Sequence, residues 1–274
     1  ARAKEHSTFL VVGGRKIKMK KTSMNLLSPN LKALVARQWK DYRQHTPGTY
    51  FGEQNENLSI EEAYVVQMEV SRLRCKAEDV IVGYKVGCIG PGVVEQFGMA
   101  GPVYGRIFRT EIHNSCKKLK CNDFTNLAIE GEMAVIIRSD GTITNAFPVI
   151  ELHNFIFRRS SKTLVELIAN NAINAGAVIS DHRESKPINQ WSNAQTLSVK
   201  VNERMVDSGK LWAMAGGANE VVSWLRKYLR RHGVSLEPSN LILTGTSLGL
   251  HSVRPGDRVS VFVDDHELVV CLIE

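Results

Sequence analysis

At 274 residues the chain can bury an ample core in one large domain, or in a small N-terminal domain and a larger one. Its 43% hydrophobic and 23% charged residues exclude a disordered or fibrous protein. The formal charge of +7 is concentrated in Arg15 to Lys21 and Arg226 to Arg231, two local clusters rather than a continuous stripe, which argues against nucleic acid as a partner. Cys75, Cys88, Cys116, Cys121 and Cys271 are odd in number and fit neither a secreted disulfide framework nor a zinc ribbon. With no apolar run near the ~20 residues of a membrane span and no signal-peptide core after Ala1, a cytoplasmic, reducing setting is expected.

Residues 1–24 combine the apolar run Phe9 to Val12 with Gly13-Gly14 and the basic cluster, and are expected to form a loosely attached basic arm. Leu31, Leu34, Val35 and Trp39 recur at helical spacing, so Leu31 to Tyr42 should be helix. A second helix is announced by Ser59 and Glu62, the pattern of a capping box, before the apolar positions Ala63, Val66, Val70 and Leu73. These two helices define an expected N-terminal helical subdomain, residues 25–78, ahead of a catalytic domain over 79–274.

In the second part Asp79 to Val86 reads as a strand and Gly87 to Gly105 as a glycine-punctuated loop, where substrate would approach. Ile129 to Ile137 and Ile143 to Ile150 are predicted strands around the turn Ser139-Asp140-Gly141. Leu164 to Ala175 should be helical, and Leu197 to Val201 with Glu203 to Val206 should form a hairpin about Asn202. Ala218 to His232 should be an amphipathic helix stopped by Gly233, followed by strands at Leu241 to Gly245, Arg258 to Val263 and Leu268 to Leu272. The balance is α+β, with a mixed barrel or rolled sheet favoured over a doubly wound fold.

Candidate chemistry begins with Ile129-Glu130-Gly131-Glu132, which puts two carboxylates on one face of an apolar strand. Side by side they repel, and a hard divalent cation would make both favourable as oxygen ligands. The competing possibility is a solvated strand edge. Glu151, at the end of the next strand, could add a third oxygen ligand. Lys85 interrupts an otherwise apolar strand between Gly83 and Gly87, where a buried ammonium needs a partner and could move a proton. Alternatively it reaches solvent from the strand end. Thr244-Gly245-Thr246-Ser247 offers hydroxyls and backbone N–H groups to an anion, or is simply a turn.

From about Leu31 onward the chain resembles the 2-keto-4-pentenoate hydratase and 4-oxalocrotonate decarboxylase family, within the fumarylacetoacetate hydrolase superfamily. The matching strings, in order, are Gly83-Tyr84-Lys85-Val86-Gly87, Pro102-Val103-Tyr104-Gly105, Ile129-Glu130-Gly131-Glu132 and Pro148-Val149-Ile150-Glu151. Asn171-Ala172, Leu241-Ile242-Leu243-Thr244-Gly245 and Pro255-Gly256-Asp257 follow. The resemblance implies a β-roll core of the fumarylacetoacetate hydrolase C-terminal type, Mg²⁺ or Mn²⁺ held by Glu130, Glu132 and Glu151, and homo-oligomers built from dimers. It also implies a 2-oxo acid substrate converted by a lyase, a hydratase or decarboxylase, through a metal-stabilised enolate, with Lys85 as the proton-transfer residue. Val103, Tyr104, Asn170 and Thr244 are expected to contact substrate. Val103 stands where the family usually carries an acidic residue, Asn170 replaces an aspartate, and Phe155-Ile156 replace a Ser-Arg pair. These departures leave open isomerisation, cyclisation or C–C bond hydrolysis at the same metal site, and, in another class, a catalytically silent assembly subunit.

Overall fold

A computed structural model of the chain describes residues 9–12, 15–18, 27–46, 58–89, 102–154 and 163–274. Two strands in the N-terminal stretch, β1 (Phe9–Val12) and β2 (Arg15–Lys18), pair antiparallel within the region expected to be a basic arm. The rest of the predicted arm lies outside the described residues. Helix α1 (Pro29–Arg43) starts two residues before the expected Leu31, with Pro29 at its first position and the Ser28 hydroxyl accepting from the Leu31 N–H. In α2 (Ile60–Lys76) both halves of the capping box form: the Glu62 N–H donates to Ser59 Oγ at 3.1 Å and the Ser59 N–H to Glu62 Oε2 at 2.9 Å. No helix of the described residues is long and apolar enough to cross a membrane.

The central sheet contains β3 (Ile81–Gly87), β4 (Val103–Phe108), β5 (Ile112–Asn114), β7 (Leu127–Ile137), β8 (Ile143–Asn154), β9 (Asn174–Ile179) and β13 (Leu241–Leu243). Their spatial order is β4-β3-β13-β7-β8-β9-β5, so a strand from late in the chain is wedged between β3 and β7. The sheet curls into a half-barrel. One face carries Ile107, Ala134, Phe147, Val149, Ala177, Leu241 and Leu243, which pack on one another as a small apolar cluster. The opposite face joins a much larger core shared with the helices, to which α1 and α2 contribute Leu34, Val35, Ala63, Tyr64 and Val66.

A second sheet, in the order β12-β11-β15-β16-β6, covers that outer face. Its strands are β6 (Lys117–Leu119), β11 (Thr196–Val201), β12 (Arg204–Lys210), β15 (Arg258–Val263) and β16 (His266–Ile273). The hairpin predicted about Asn202 is β11–β12, with Asn202 and Glu203 both at positive φ. Helix α4 (Gly217–Arg231) buries Val221, Val222, Leu225 and Leu229, and the chain leaves it through Gly233 at φ +70°.

Two expectations need correction. The predicted loop over 87–105 ends earlier than its last residues, because Val103 to Gly105 are already strand β4, paired antiparallel with β3; residues 90–101 of that loop lie outside the described residues. The predicted helix over 164–175 stops at α3 (Leu164–Ala169). It is followed by a left-handed turn with Asn171, Ala172 and Ile173 at φ +58°, +53° and +53°, and then by β9. Such backbone costs of order 1–2 kcal/mol per residue in L-amino acids, so something must hold it. The Asn171 side chain does: its Oδ1 accepts from the Arg106 N–H at 2.7 Å and its Nδ2 donates to the Arg106 carbonyl at 2.8 Å, as a neighbouring strand would. Asn174 Nδ2 adds a second donor to that carbonyl at 3.2 Å. The amides thus fasten β4 to the segment entering β9. Gln67 reinforces the seam from α2, donating to the Tyr104 and Ile168 carbonyls and accepting from the Arg106 guanidinium.

Gly131 sets how closely the two sheets approach behind the glutamate strand. A Cβ there would lie 2.4 Å from Val199 Cγ2 and 3.2 Å from Val261 Cγ2. Both neighbours are rotamer-stiff valines on the facing sheet. Gly131→Ala is therefore expected to lose about 1–3 kcal/mol of stability, the cost of overpacking a filled core, as a lowered urea midpoint with unchanged slope; an unaltered midpoint would show that the sheets can separate freely.

A carboxylate, lysine and histidine cluster at the barrel mouth

Pairing of β7 with β8 sets Glu130 directly opposite Glu151 and Glu132 opposite Val149. Alternation then places Glu130, Glu132, Glu151 and His153 on the face that carries Ala134 and Val149 lower down. Contrary to the sequence-based end at Ile150, β8 runs through Asn154, so Glu151 lies within a strand and not beyond it. From β3, held next to β7 by the β13 wedge, Lys85 reaches the same place: its register partner on β13 is Leu243, whose own partner on β7 is Ala134.

The group is almost dry. Glu132 is wholly buried, Glu151, His153 and Lys85 are 1–4% exposed, and only Glu130 keeps some access to solvent. Lys85 Nζ lies 3.1 Å from Glu151 Oε1, and His153 Nε2 lies 3.2 Å from Glu130 Oε2 and 3.4 Å from Glu151 Oε2. The carboxyl of Glu132 accepts from the Gly245 N–H. Among the described residues Glu132 Oε2 and His153 Nδ1 are buried without a hydrogen-bond partner.

These placements separate the two central carboxyls in acidity. Burial, then the Glu151 carboxylate, push Glu132 well above the ordinary range, which disfavours its ionised form. Burial also opposes ionisation of Glu151, but Lys85 and then His153 outweigh it and hold Glu151 well below that range. Burial would discharge Lys85; Glu151, Glu130 and Glu132 instead keep it an ammonium. For His153 burial is likewise outweighed by Glu151 and Glu130, which raise it to about 9. The Cys88 thiol, at the end of the same strand, is pushed up to about 11, by burial first.

Of the substrate contacts expected from sequence, the fold brings some near this cluster and sends others elsewhere. Val103 pairs with Gly87, two steps beyond the Lys85–Gly105 pair, and is buried. Thr244 adjoins Gly245, but its hydroxyl donates to the Met133 carbonyl at 2.8 Å. Tyr104 belongs to the opposite face, stacked on Tyr64 at 4.7 Å between ring centroids and meeting Tyr228 edge-on. Asn170 caps α3, accepting from Gln38 Nε2 at 3.0 Å and donating to the Glu166 carbonyl; it lines a separate cavity of about 60 Å³ beside Arg74 and Phe108. Phe155 and Ile156 lie outside the described residues. Sequence reasoning missed His153, although Glu151-Leu152-His153 carries the two-residue spacing that puts both side chains on one strand face.

The residues fit a divalent cation. Glu130, Glu151 and His153 each offer a ligand atom within 4.8 Å of the others, and Glu132 adds a buried carboxyl oxygen with no partner among the described residues. Carboxylate oxygens are the donors that a hard divalent cation favours.

Residues 109–271 match the family described as fumarylacetoacetate (FAA) hydrolase C-terminal, a stretch that starts after Lys85 and includes the glutamates. Over 218 residues the chain is 22% identical to a 4-oxalocrotonate decarboxylase of Pseudomonas putida, covering 74% of this chain and 81% of that one. It is 23% identical over 215 residues to a 2-keto-4-pentenoate hydratase of Paraburkholderia phymatum, with the same coverage. The fold is similar to that of the 4-oxalocrotonate decarboxylase from Pseudomonas putida G7 complexed with magnesium and adipate: TM-score 0.81, 19% identity, 91% of this chain and 99% of that one.

Gly87 leaves room for the ammonium. A Cβ at this position would stand 2.9 Å from Lys85 Nζ, and its next two nearest atoms would be Cδ and Cε of the same side chain at 3.9 Å. A flexible lysine tip normally yields at little cost, but this one would give up its Glu151 contact. Gly87→Ala should cost about 1–3 kcal/mol in the metal-free protein and nearly nothing in a Lys85→Ala background. Equal losses in both backgrounds, read by urea unfolding, would disprove the coupling.

Proposed function

The chain belongs to the fumarylacetoacetate hydrolase family, and on that premise we propose that it is a divalent-metal-dependent lyase, a hydratase or decarboxylase, acting on a 2-oxo acid or its dienol. The observation that carries this reading is the ion-paired Lys85–Glu151 contact set against Glu130 and Glu132 at the barrel mouth. The names of the relatives support it, a decarboxylase and a hydratase, as does the magnesium and adipate in the solved neighbour. In this proposal Glu130, Glu132 and Glu151 hold Mg²⁺ or Mn²⁺, and residues 25–78 and 79–274 form a helical subdomain and a catalytic β-roll. The working form is a homo-oligomer built from dimers.

Each residue has a separable task. When bound, the ion supplies Lewis acidity that lowers the energy of a developing enolate. The Gly245 N–H fixes one oxygen of Glu132, so that carboxyl cannot rotate away from its neighbours. Lys85, charged and dry, delivers a proton from Nζ to the substrate and takes one back in the return step. Gly87 keeps that Nζ in place. The buried, mostly apolar wall beneath the cluster excludes water, which strengthens each of these charge interactions.

Val103 favours a second reading within the same chemistry. A valine cannot relay a proton, so addition of water would lack the acidic helper that the family resemblance implies at this position. Isomerisation or cyclisation through an enolate consumes no water and needs only the carboxylate set and Lys85, C–C bond hydrolysis would still have to activate a water, and a catalytically silent subunit would need none of these.

Calorimetric titration with oxalate, a mimic of a 2-oxo acid enolate, tests the site without requiring the substrate. Oxalate should bind only with Mg²⁺ or Mn²⁺ present, and Glu132→Gln should weaken that binding at least about tenfold, the scale on which metal-site partners matter. Oxalate binding that is independent of metal, or no binding of either, would rule out the proposal.

A further inference from the structure

His153 stands apart from the carboxylates that the family resemblance accounts for, and its surroundings are those of a ligand. It is 2% exposed, so its ring has no recourse to solvent. It shares a strand face with Glu151, two residues away, and turns Nε2 toward two carboxylates at once, 3.2 Å from Glu130 Oε2 and 3.4 Å from Glu151 Oε2. Two ligands of one ion at bond lengths of ~2.1 Å stand about 3.0 Å apart in an octahedral site and about 3.4 Å apart in a tetrahedral one. The His153 distances fall in this span. Its other ring nitrogen, Nδ1, has no partner among the described residues, so neither nitrogen is committed elsewhere.

We propose that His153 Nε2 is a direct ligand of the divalent ion, and that this nitrogen turns the site's preference from Mg²⁺ toward first-row transition ions such as Mn²⁺ and Co²⁺. The proposal rests on the metal site of the preceding section and specifies its donor set. An oxygen-only set suits Mg²⁺, Ca²⁺ and Mn²⁺ alike, whereas an imidazole is a borderline donor that gains more from the later first-row ions than from Mg²⁺. The alternative is that His153 donates from Nε2 to Glu130 and Glu151 and stays outside the ion's coordination shell. Both arrangements place the ring against the carboxylates; they differ in whether a metal–nitrogen bond exists.

The experiment uses the full chain stripped by a chelator and reloaded with one ion at a time. With Mn²⁺, pulsed electron-spin resonance should detect coupling to a directly bound nitrogen. That coupling should change when histidine is supplied as the ¹⁵N isotope, and vanish in His153→Gln. Titrations should show the Co²⁺-to-Mg²⁺ affinity ratio falling by about tenfold or more in His153→Val. If that variant does not fold, the isotope-labelled wild-type spectrum and His153→Gln still decide. Bound Mn²⁺ with no histidine nitrogen coupling, and an affinity ratio unchanged by the substitution, would overturn the inference while leaving the proposed function intact. Failure of the wild-type chain to bind any of the three ions would overturn both.

Discussion

Three carboxyl groups in one nearly dry barrel mouth repel one another and lose their hydration, and the fold is arranged around that conflict. Lys85 is the main compensation. It is itself buried, and only its contact with Glu151 and the field of Glu130 and Glu132 keep the ammonium charged. The two central carboxyls are thereby pushed apart in acidity: Glu151, beside the cation, is held low, while Glu132, deeper and tied to the Gly245 N–H, is pushed up. A divalent ion would substitute for protons in this balance, so the same residues that are strained without it are suited to holding it.

The supporting architecture keeps those groups in position from both sides. Inside the curl, aliphatic side chains from β4, β7, β8, β9 and β13 and Phe147 form an apolar floor beneath the charges. Outside, the second sheet packs so closely on β7 that only glycine fits between Glu130 and Glu132, while α2 and α4 bring Tyr64 and Tyr228 against Tyr104. At the end of α2, Arg74 joins Asp79 and Glu111 at 2.6 Å each and lies over the Phe108 ring, which fixes the entry to β3 and the exit from β4.

Local signals made the helices legible: the Ser59–Glu62 capping box, the apolar period of α4 and the stop at Gly233 are all short-range chemistry. The glutamates and Lys85 were legible as a set because strand alternation and family strings name residues without needing their distances. What was not legible depends on long-range partners. The left-handed turn at Asn171–Ile173 exists because a side-chain amide finds the Arg106 backbone, and no window around Asn171 contains that information. His153 was hidden by ending the strand at Ile150, and Tyr104 was assigned to substrate by its place in a motif although it faces the aromatic stack. Short strands such as β5 and β6 have too few residues to show a period.

The wedge of β13 between β3 and β7 carries a consequence for how the protein is made. Lys85 is joined through Leu243 to Ala134, two residues from Glu132, and the strand that joins them follows both by more than a hundred residues. A nascent polypeptide that has produced both residues still has a gap in its sheet, with the backbone edges of β3 and β7 unpaired, until Leu241–Leu243 leaves the ribosome and inserts. Assembly of the charged cluster thus waits on non-local strand pairing, the slow class of folding step, and the chain remains exposed to edge-to-edge association until β13 is in place.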